Sequence, residues 1–451
     1  MTATAQTKPI FTRRQLVALL LPLVAEQALS VTIGLADTLM VSSVGEAAVS
    51  GVSLVDTFNT LMIQIMSALA TGGAVVTSQY IGHREPQNAK ATAGQIMLVM
   101  LAFSCTVALV VLFGRHLILR AIFGAIEDDV MAYAETYFLM SALSYPFIGM
   151  YNAGAALFRA QGNSKISMLS SLVMNVLNIG GNAIFIYGCG MAVFGAALAT
   201  LISRIIACTA VLYLLQRPDS MLRVESGRAL RPDCKLIRRI LVIGIPNAIE
   251  NGMFQIGKLA VSSLTSTLGT AAIAANAVAN NTTTLLNIPA NAVGMGALTV
   301  LGQCLGAGDK RQAKRYGGLM MALAYAGAWV MNLTAFFFGN RFMLQFFNLS
   351  ADSTALALEV MMWFNIISLF IWPSSFTLPN ILRAAGDARY TMVVSITSMW
   401  LFRVALCYLL VGHFGGGLLA IWTGMFVDWA FRSLFFAIRF FSGKWMENSV
   451  I

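Results

Sequence analysis

Gly72-Gly73-Ala74-Val75-Val76-Thr77-Ser78-Gln79-Tyr80-Ile81-Gly82 returns 224 residues later as Gly296-Ala297-Leu298-Thr299-Val300-Leu301-Gly302-Gln303-Cys304-Leu305-Gly306. The offset holds without a gap from 22–94 to 246–318, with 18 identities in 73 positions, among them Pro22/Pro246, Glu26/Glu250, Gly45/Gly269 and Lys90/Lys314. It also aligns Phe158-Arg159-Ala160-Gln161-Gly162 with Leu382-Arg383-Ala384-Ala385-Gly386. The chain is therefore a duplicated unit, and each half must be read as one structural module.

Composition identifies the solvent. With 58% hydrophobic and 11% charged residues and a mean hydropathy of +0.76, the 451 residues carry too few charges to coat a soluble globule. Apolar runs near 16–40, 54–80, 92–113, 131–157, 166–187 and 193–215 are followed by six more near 240–265, 273–305, 316–338, 355–381, 391–411 and 417–438. Each is long enough to cross a bilayer. The expected fold is an all-α membrane protein of twelve transmembrane helices in two six-helix lobes. An even number of helices per half starts both repeats on the same side, which makes the repeat parallel. The predicted boundaries are 1–215 for the N-lobe, 216–239 for a linker and 240–451 for the C-lobe.

Orientation follows the 29 Lys and Arg residues, 23 of which fall in segments on one side of the predicted spans. Seven of them lie between Arg217 and Arg239, and Arg159 and Arg383 are counted with them. Only Arg115, Arg120 and Arg341 fall in loops on the other side, while Arg204, Lys258 and Arg403 lie within spans. The rule that short cytoplasmic loops are basic places both termini in the cytoplasm of a cell-membrane protein. It also accounts for the net charge of +10 without a nucleic-acid partner. The first apolar run is too long for a cleaved signal and belongs to the repeat, so it is expected to be retained. Six cysteines without CxxC spacing indicate neither a disulfide framework nor a metal site.

Carboxylates inside spans cost at least ~2.5 kcal/mol to insert and survive mainly where they line a cavity or find a partner. Glu26, Asp37, Glu250 and Asp428 are such residues. Glu26 and Asp37 are eleven residues apart, about three helical turns, and share one face with Ser30 and Gly34. Glu250 repeats Glu26, whereas Asp37 faces Val261 in the alignment, so the N-lobe is the better candidate for a coupling-ion site. Asn178 and Asn182, one turn apart, and Thr200 add oxygens suited to a monovalent cation or a protonated Asp37. Interhelical bridging is the bland alternative for these groups. Lys258 is expected to neutralise a cavity carboxylate or to snorkel. Asp428 and Arg432, at i and i+4, are expected to pair with each other. The run Gly252 to Lys258 imitates a phosphate loop, but Leu259 replaces the required hydroxyl and no strand precedes it. His83, His116 and His413 are expected in loops, which leaves no histidine relay through the membrane. Met62 and Met66, among 25 methionines, offer adaptable apolar walls.

Three segments carry a family resemblance: Leu35-Ala36-Asp37-Thr38-Leu39-Met40-Val41, Ala155-Ala156-Leu157-Phe158-Arg159-Ala160-Gln161-Gly162-Asn163, and Gly195-Ala196-Ala197-Leu198-Ala199-Thr200. In this order they resemble the multidrug and toxic compound extrusion (MATE) transporters over nearly the whole chain. The resemblance implies a central cleft open alternately to either side and export of cationic amphiphiles driven by sodium or proton entry. It maps the cation site onto Asp37, Asn178, Asn182 and Thr200, with no other cofactor. Two departures stand out: Asn182 takes the place of an aspartate found in some members, and Phe254 occupies the position of a frequent glutamate, leaving Glu250 as the cavity acid.

The sequence thus predicts a monomeric antiporter for small cationic or amphiphilic molecules, embedded in lipid. Its substrate cavity is expected at Glu26, Glu250, Met62, Met66 and Phe254. A lipid-linked oligosaccharide flippase is the alternative, and would need a basic cavity. An enzyme would need clustered catalytic groups, and neither HExxH nor GxSxG occurs.

Overall fold

The structure, a computed structural model, describes residues 9–124, 127–224, 231–339, 344, 349–447 and 450–451, with the side chains of 33–39 and 42 outside that set. Among the described residues the chain forms twelve long helices, interrupted ones counted once, and ten segments among them are long and apolar enough to cross a membrane. The first half holds α1 (Arg13–Ser42), α2 (Glu46–Gly82), α3 (Pro86–Phe123), α4 (Asp128–Ala160), α5 (Ser164–Gly188) and α6 (Ala192–Gln216). The second half holds α7 (Cys234–Ser266), α8 (Thr270–Leu286 and Ile288–Gly306), α9 (Lys310–Gly339), α10 (Ala351–Ala384), α11 (Ala388–Gly412) and α12 (Leu418–Phe441). Cys234 to Arg239, assigned above to the linker, form the first turns of α7. α3 runs about ten residues past its apolar stretch, so Arg115, His116 and Arg120 lie on a helix and not in a loop.

Local chemistry sets the helix ends. Thr12 and Gln15 form a reciprocal capping box at the start of α1, and Asp233 and Asp309 accept backbone N–H groups at the starts of α7 and α9. The signature helices α4 and α10 are both followed by a glycine in the left-handed region, Gly162 at φ +83° and Gly386 at φ +86°. α2 and α4 are continuous, whereas their repeat counterparts α8 and α10 are interrupted. Each breaks just before a proline, at Asn287 ahead of Pro289 and at Thr377 ahead of Pro379.

Among the described residues two main hydrophobic cores form, one per half, beside a small cluster of Val261, Leu264, Cys407 and Ile421, yet each main core borrows from the other half. Leu16, Leu19 and Leu23 of α1 pack in the core of the second half, and Leu236, Ile240 and Ile243 of α7 pack in that of the first. The segment before α1 is tied to α9, with Tyr316 OH donating to Phe11 O at 2.7 Å. The segment before α7 is tied to α3, with Gln95 Nε2 donating to Arg231 O at 3.0 Å.

At the end that carries the basic loops, α2 and α8 approach almost to backbone contact. A Cβ placed on Gly82 would sit 2.0 Å from Gln303 O, and one on Gly306 1.9 Å from Gln79 O. Small residues at a crossing let helices come this close. The two glutamines complete the contact symmetrically: Gln79 Nε2 donates to Ala384 O and Gln303 Nε2 to Ala160 O, both at 2.8 Å. Thr299 Oγ1 adds a bond to Arg159 O at 2.9 Å. Gly306→Ala should therefore push the lobes apart at this end. A destabilisation of about 1–3 kcal/mol, typical of overpacking, is expected in thermal unfolding of the detergent-solubilised protein, whereas Gly318→Ala, with open space around its Cβ position, should leave stability unchanged.

Candidate functional site

Glu26 and Glu250 are both buried, and both are held by arginines from the repeated signature. Arg159 Nη1 lies 3.1 Å from Glu26 Oε1, and Ser167 Oγ donates to Glu26 Oε2 at 2.8 Å. At the same offset, Arg383 Nη2 lies 2.7 Å from Glu250 Oε1, and Thr391 Oγ1 is 3.4 Å from Oε2. Arg159 and Arg383, counted above as loop charges, thus reach back into the helices. The duplication preserves a whole acid–arginine–hydroxyl unit. Its members do not line the cavity that lies among the helices of the second half. Met66 is fully buried in the first core, and Met62 is likewise absent from the cavity wall.

That cavity has a volume of about 730 Å³ and lies in the second half of the chain, away from the basic end. It is bounded by the later turns of α7, the first segment and the break of α8, the middle of α10, and parts of α11 and α12, with Gln64 of α2 facing it from the first half. Phe254, expected in the cavity, lines it. Phe254, Phe364, Trp372, Phe376, Trp422 and Trp429 form its aromatic wall, with Trp372 and Phe376 stacked at 4.8 Å. The rest of the wall is polar, with Gln255, Asn276, Asn280, Asn281, Asn287 and Asn291. Trp422 Nε1 donates to Asn276 Oδ1 at 3.0 Å, which fixes that amide.

The charges here depart from expectation. Asp428 and Arg432 do not pair with each other. Asp428 is fully buried, accepts from Ser398 at 2.7 Å and lies 3.2 Å from Arg403 Nε. Arg432 instead turns toward Glu250 at 4.0 Å, with its guanidinium 4.6 Å from the Phe376 ring centre. Lys258 lines the cavity, and no carboxylate within 4.0 Å pairs with it among the described residues. The phosphate-loop look-alike ending at Lys258 sits inside the continuous helix α7.

In the first half, α1 packs against α5, and Asn178 and Asn182 are buried one turn apart on α5. Asn178 Nδ2 donates to Thr200 Oγ1 of α6 at 3.0 Å. The side chain of Asp37, the remaining member of that set, lies outside the described residues. Sequence reasoning missed Asp56, which sits inside α2, accepts from Asn59 at 3.3 Å and interacts electrostatically with Arg204. Its signal was available: an acid within an apolar run, aligned by the repeat with the cavity residue Asn280.

Comparison with known proteins agrees with the duplication. The MatE family matches residues 22–184 and again 246–409. YisQ, an uncharacterized transporter of Bacillus subtilis, is 26% identical over 99% of this chain and 98% of its own. A probable multidrug resistance protein, NorM of Thermotoga maritima, is 26% identical over 97% of this chain and 94% of its own. Among solved structures, a MATE protein in a bent conformation superposes with a TM-score of 0.86 at 20% identity, covering 96% of this chain and 94% of that one. An outward-facing multidrug resistance MATE family transporter of the MOP superfamily gives 0.85 at 20% identity, covering 95% and 94%.

Removing one partner of a buried ion pair leaves the other uncompensated, at about 3–5 kcal/mol. Arg383→Ala should destabilise the protein by that amount, and adding Glu250→Gln should recover most of it. Thermal unfolding of the two variants checks this. An Arg383→Ala protein as stable as the parent would show that the pair does not hold the fold.

Proposed function

The chain belongs to the MatE family, and from that membership and the arrangement of its halves we propose that it exports amphiphilic small molecules across the cell membrane by alternating access, in exchange for sodium ions or protons. The family is one of transporters and not of enzymes. The observation that carries the proposal is the one-sided closure of the molecule. The lobes meet through Gln79, Gln303, Gly82 and Gly306 at the basic end, while the cavity of the second half lies toward the other end. With the basic loops and both termini in the cytoplasm, this is an outward-open state, ready to release cargo outside and to admit the driving ion.

The coupling site of this proposal is Asp37 with Asn178, Asn182 and Thr200. A carboxylate and amide oxygens suit a sodium ion, and the same carboxylate can take a proton. For entry of the ion to drive cargo out, the two must have different affinities in the two states of the lobes. The expectation of an organic-cation cavity rested on Glu26 and Glu250, and both are paired with arginines and absent from the wall of the described cavity. The proposed cargo class is therefore amphiphiles without a stated charge.

Export from proteoliposomes, with sodium and proton gradients imposed separately on a panel of cationic, neutral and anionic fluorescent amphiphiles, tests the reading. Coupling energies of 1–3 kcal/mol correspond to about 5–150-fold, so Asp37→Asn should lower gradient-driven export at least about fivefold. Full export by Asp37→Asn would remove the coupling assignment. A parent protein that responds to neither gradient would overturn the exporter reading.

A further inference from the structure

Among the described residues the cavity wall carries positive charge and no negative charge. Its lining includes Lys258 and Arg403 but neither aspartate nor glutamate. Among the described residues of the second half, the buried cations Arg383, Arg403 and Arg432 are matched in number by the buried carboxylates Glu250, Asp387 and Asp428, and Lys258 on the cavity wall comes in addition to them. Arg383 and Arg403 are taken up by those carboxylates. Arg432 is covered by the faces of Phe376 and Phe436. Lys258 is the cation left facing open volume, with Arg403 behind it over the Phe254 ring at 4.9 Å.

The other groups that could answer Lys258 do not. Asp56 is held by Asn59 and is absent from the cavity wall, and its repeat counterpart there is the neutral Asn280. Asn280 donates to Asn276 O within its own helix, at 2.8 Å. Glu359 of α10 is exposed and is also absent from the wall. An ionisable residue within a membrane span marks a functional site, and one that faces a cavity without a counter-charge calls for that charge from a ligand.

We infer that this cavity binds amphiphiles with an aromatic or apolar body and one anionic group, the anion on Lys258 and the body against the tryptophan and phenylalanine wall. The amide wall supplies further donors for the carboxylate, sulfonate or phosphate oxygens. This rests on the exporter reading only for its physiological meaning, since binding can be measured with no gradient at all.

The test is a fluorescence-polarisation titration of the full-length protein in a non-ionic detergent with two xanthene dyes of opposite charge, anionic fluorescein and cationic rhodamine 6G. Fluorescein should bind more tightly. Lys258→Gln should weaken it by about tenfold, the loss of one charge-assisted hydrogen bond, while rhodamine 6G changes little. Lys258→Glu should reverse the preference. Competition by phosphatidylglycerol or by free naphthoate in the same titration distinguishes a lipid headgroup from a soluble aromatic acid, and displacement by either upholds an anion site. Tighter binding of rhodamine 6G to the parent, or unchanged fluorescein affinity in a monodisperse Lys258→Gln with the parent's melting temperature, would overturn the inference. Failure of gradient-driven export with dye selectivity intact would count against the exporter reading alone.

Discussion

The near-contact of α2 with α8 at Gly82 and Gly306 is the constraint on which the rest of the arrangement depends. No side chain larger than hydrogen fits there without moving backbone, and the glutamine one turn earlier in each helix then reaches a carbonyl of the opposite lobe. Buried amides that find carbonyl partners in an apolar setting contribute about 0.5–1.5 kcal/mol each. The two together hold the lobes at one end without locking them. The exchange of the first turns of α1 and α7 between the two cores adds an apolar seam beside these bonds. The cavity lies toward the other end, among the helices of the second half, with Gln64 of the first half facing it.

Duplication supplied a symmetric frame, and substitution made its halves chemically different. Glu26, Arg159 and Ser167 match Glu250, Arg383 and Thr391 in position and in partner, and both sets sit near the shared closed end. Farther from that end the match fails. Asp37 aligns with Val261, Gly34 with Lys258, Asp56 with Asn280 and Arg204 with Asp428. The first half thus keeps Asp37 and Asp56 where the second has Val261 and Asn280, while the second places Lys258 and Arg403 on the wall of an aromatic cavity. The exchange proposed above, of an inorganic cation in one lobe against a differently charged cargo in the other, would require that kind of inequality.

Much of the fold was legible because the bilayer demands long apolar runs and the repeat confirmed each of them twice. The site was less so. Glu26 and Glu250 read as cavity acids because an intramembrane carboxylate suggests a wet chamber, but their partners, Arg159 and Arg383, lie 133 residues further along the chain in each case and looked like loop charges. Asp428 and Arg432 have the spacing of a helical pair, yet Arg403, brought close by α11, supplies the better counter-charge. Within α11, Arg403 lies on a π-helical stretch, Met399–Leu406, which shifts side-chain phase relative to an α-helix and so defeats a reading based on i, i+4 spacing. Asp56 went unread because its partners, Asn59 and the electrostatically linked Arg204, gain meaning only once α2 and α6 share a lobe.

The claim that the lobes close at the basic end and open at the other can be measured by pulsed spin-label distances in lipid bilayers. In a background lacking the six native cysteines, one label pair at Gln87 and Arg311 reports the basic end, and a second at Glu46 and Thr270 reports the opposite end, all four positions being exposed. In the absence of a gradient, a short, narrow distance is expected for the first pair and a longer one for the second. A long, broad distribution between Gln87 and Arg311, with Glu46 and Thr270 drawn together, would contradict the account.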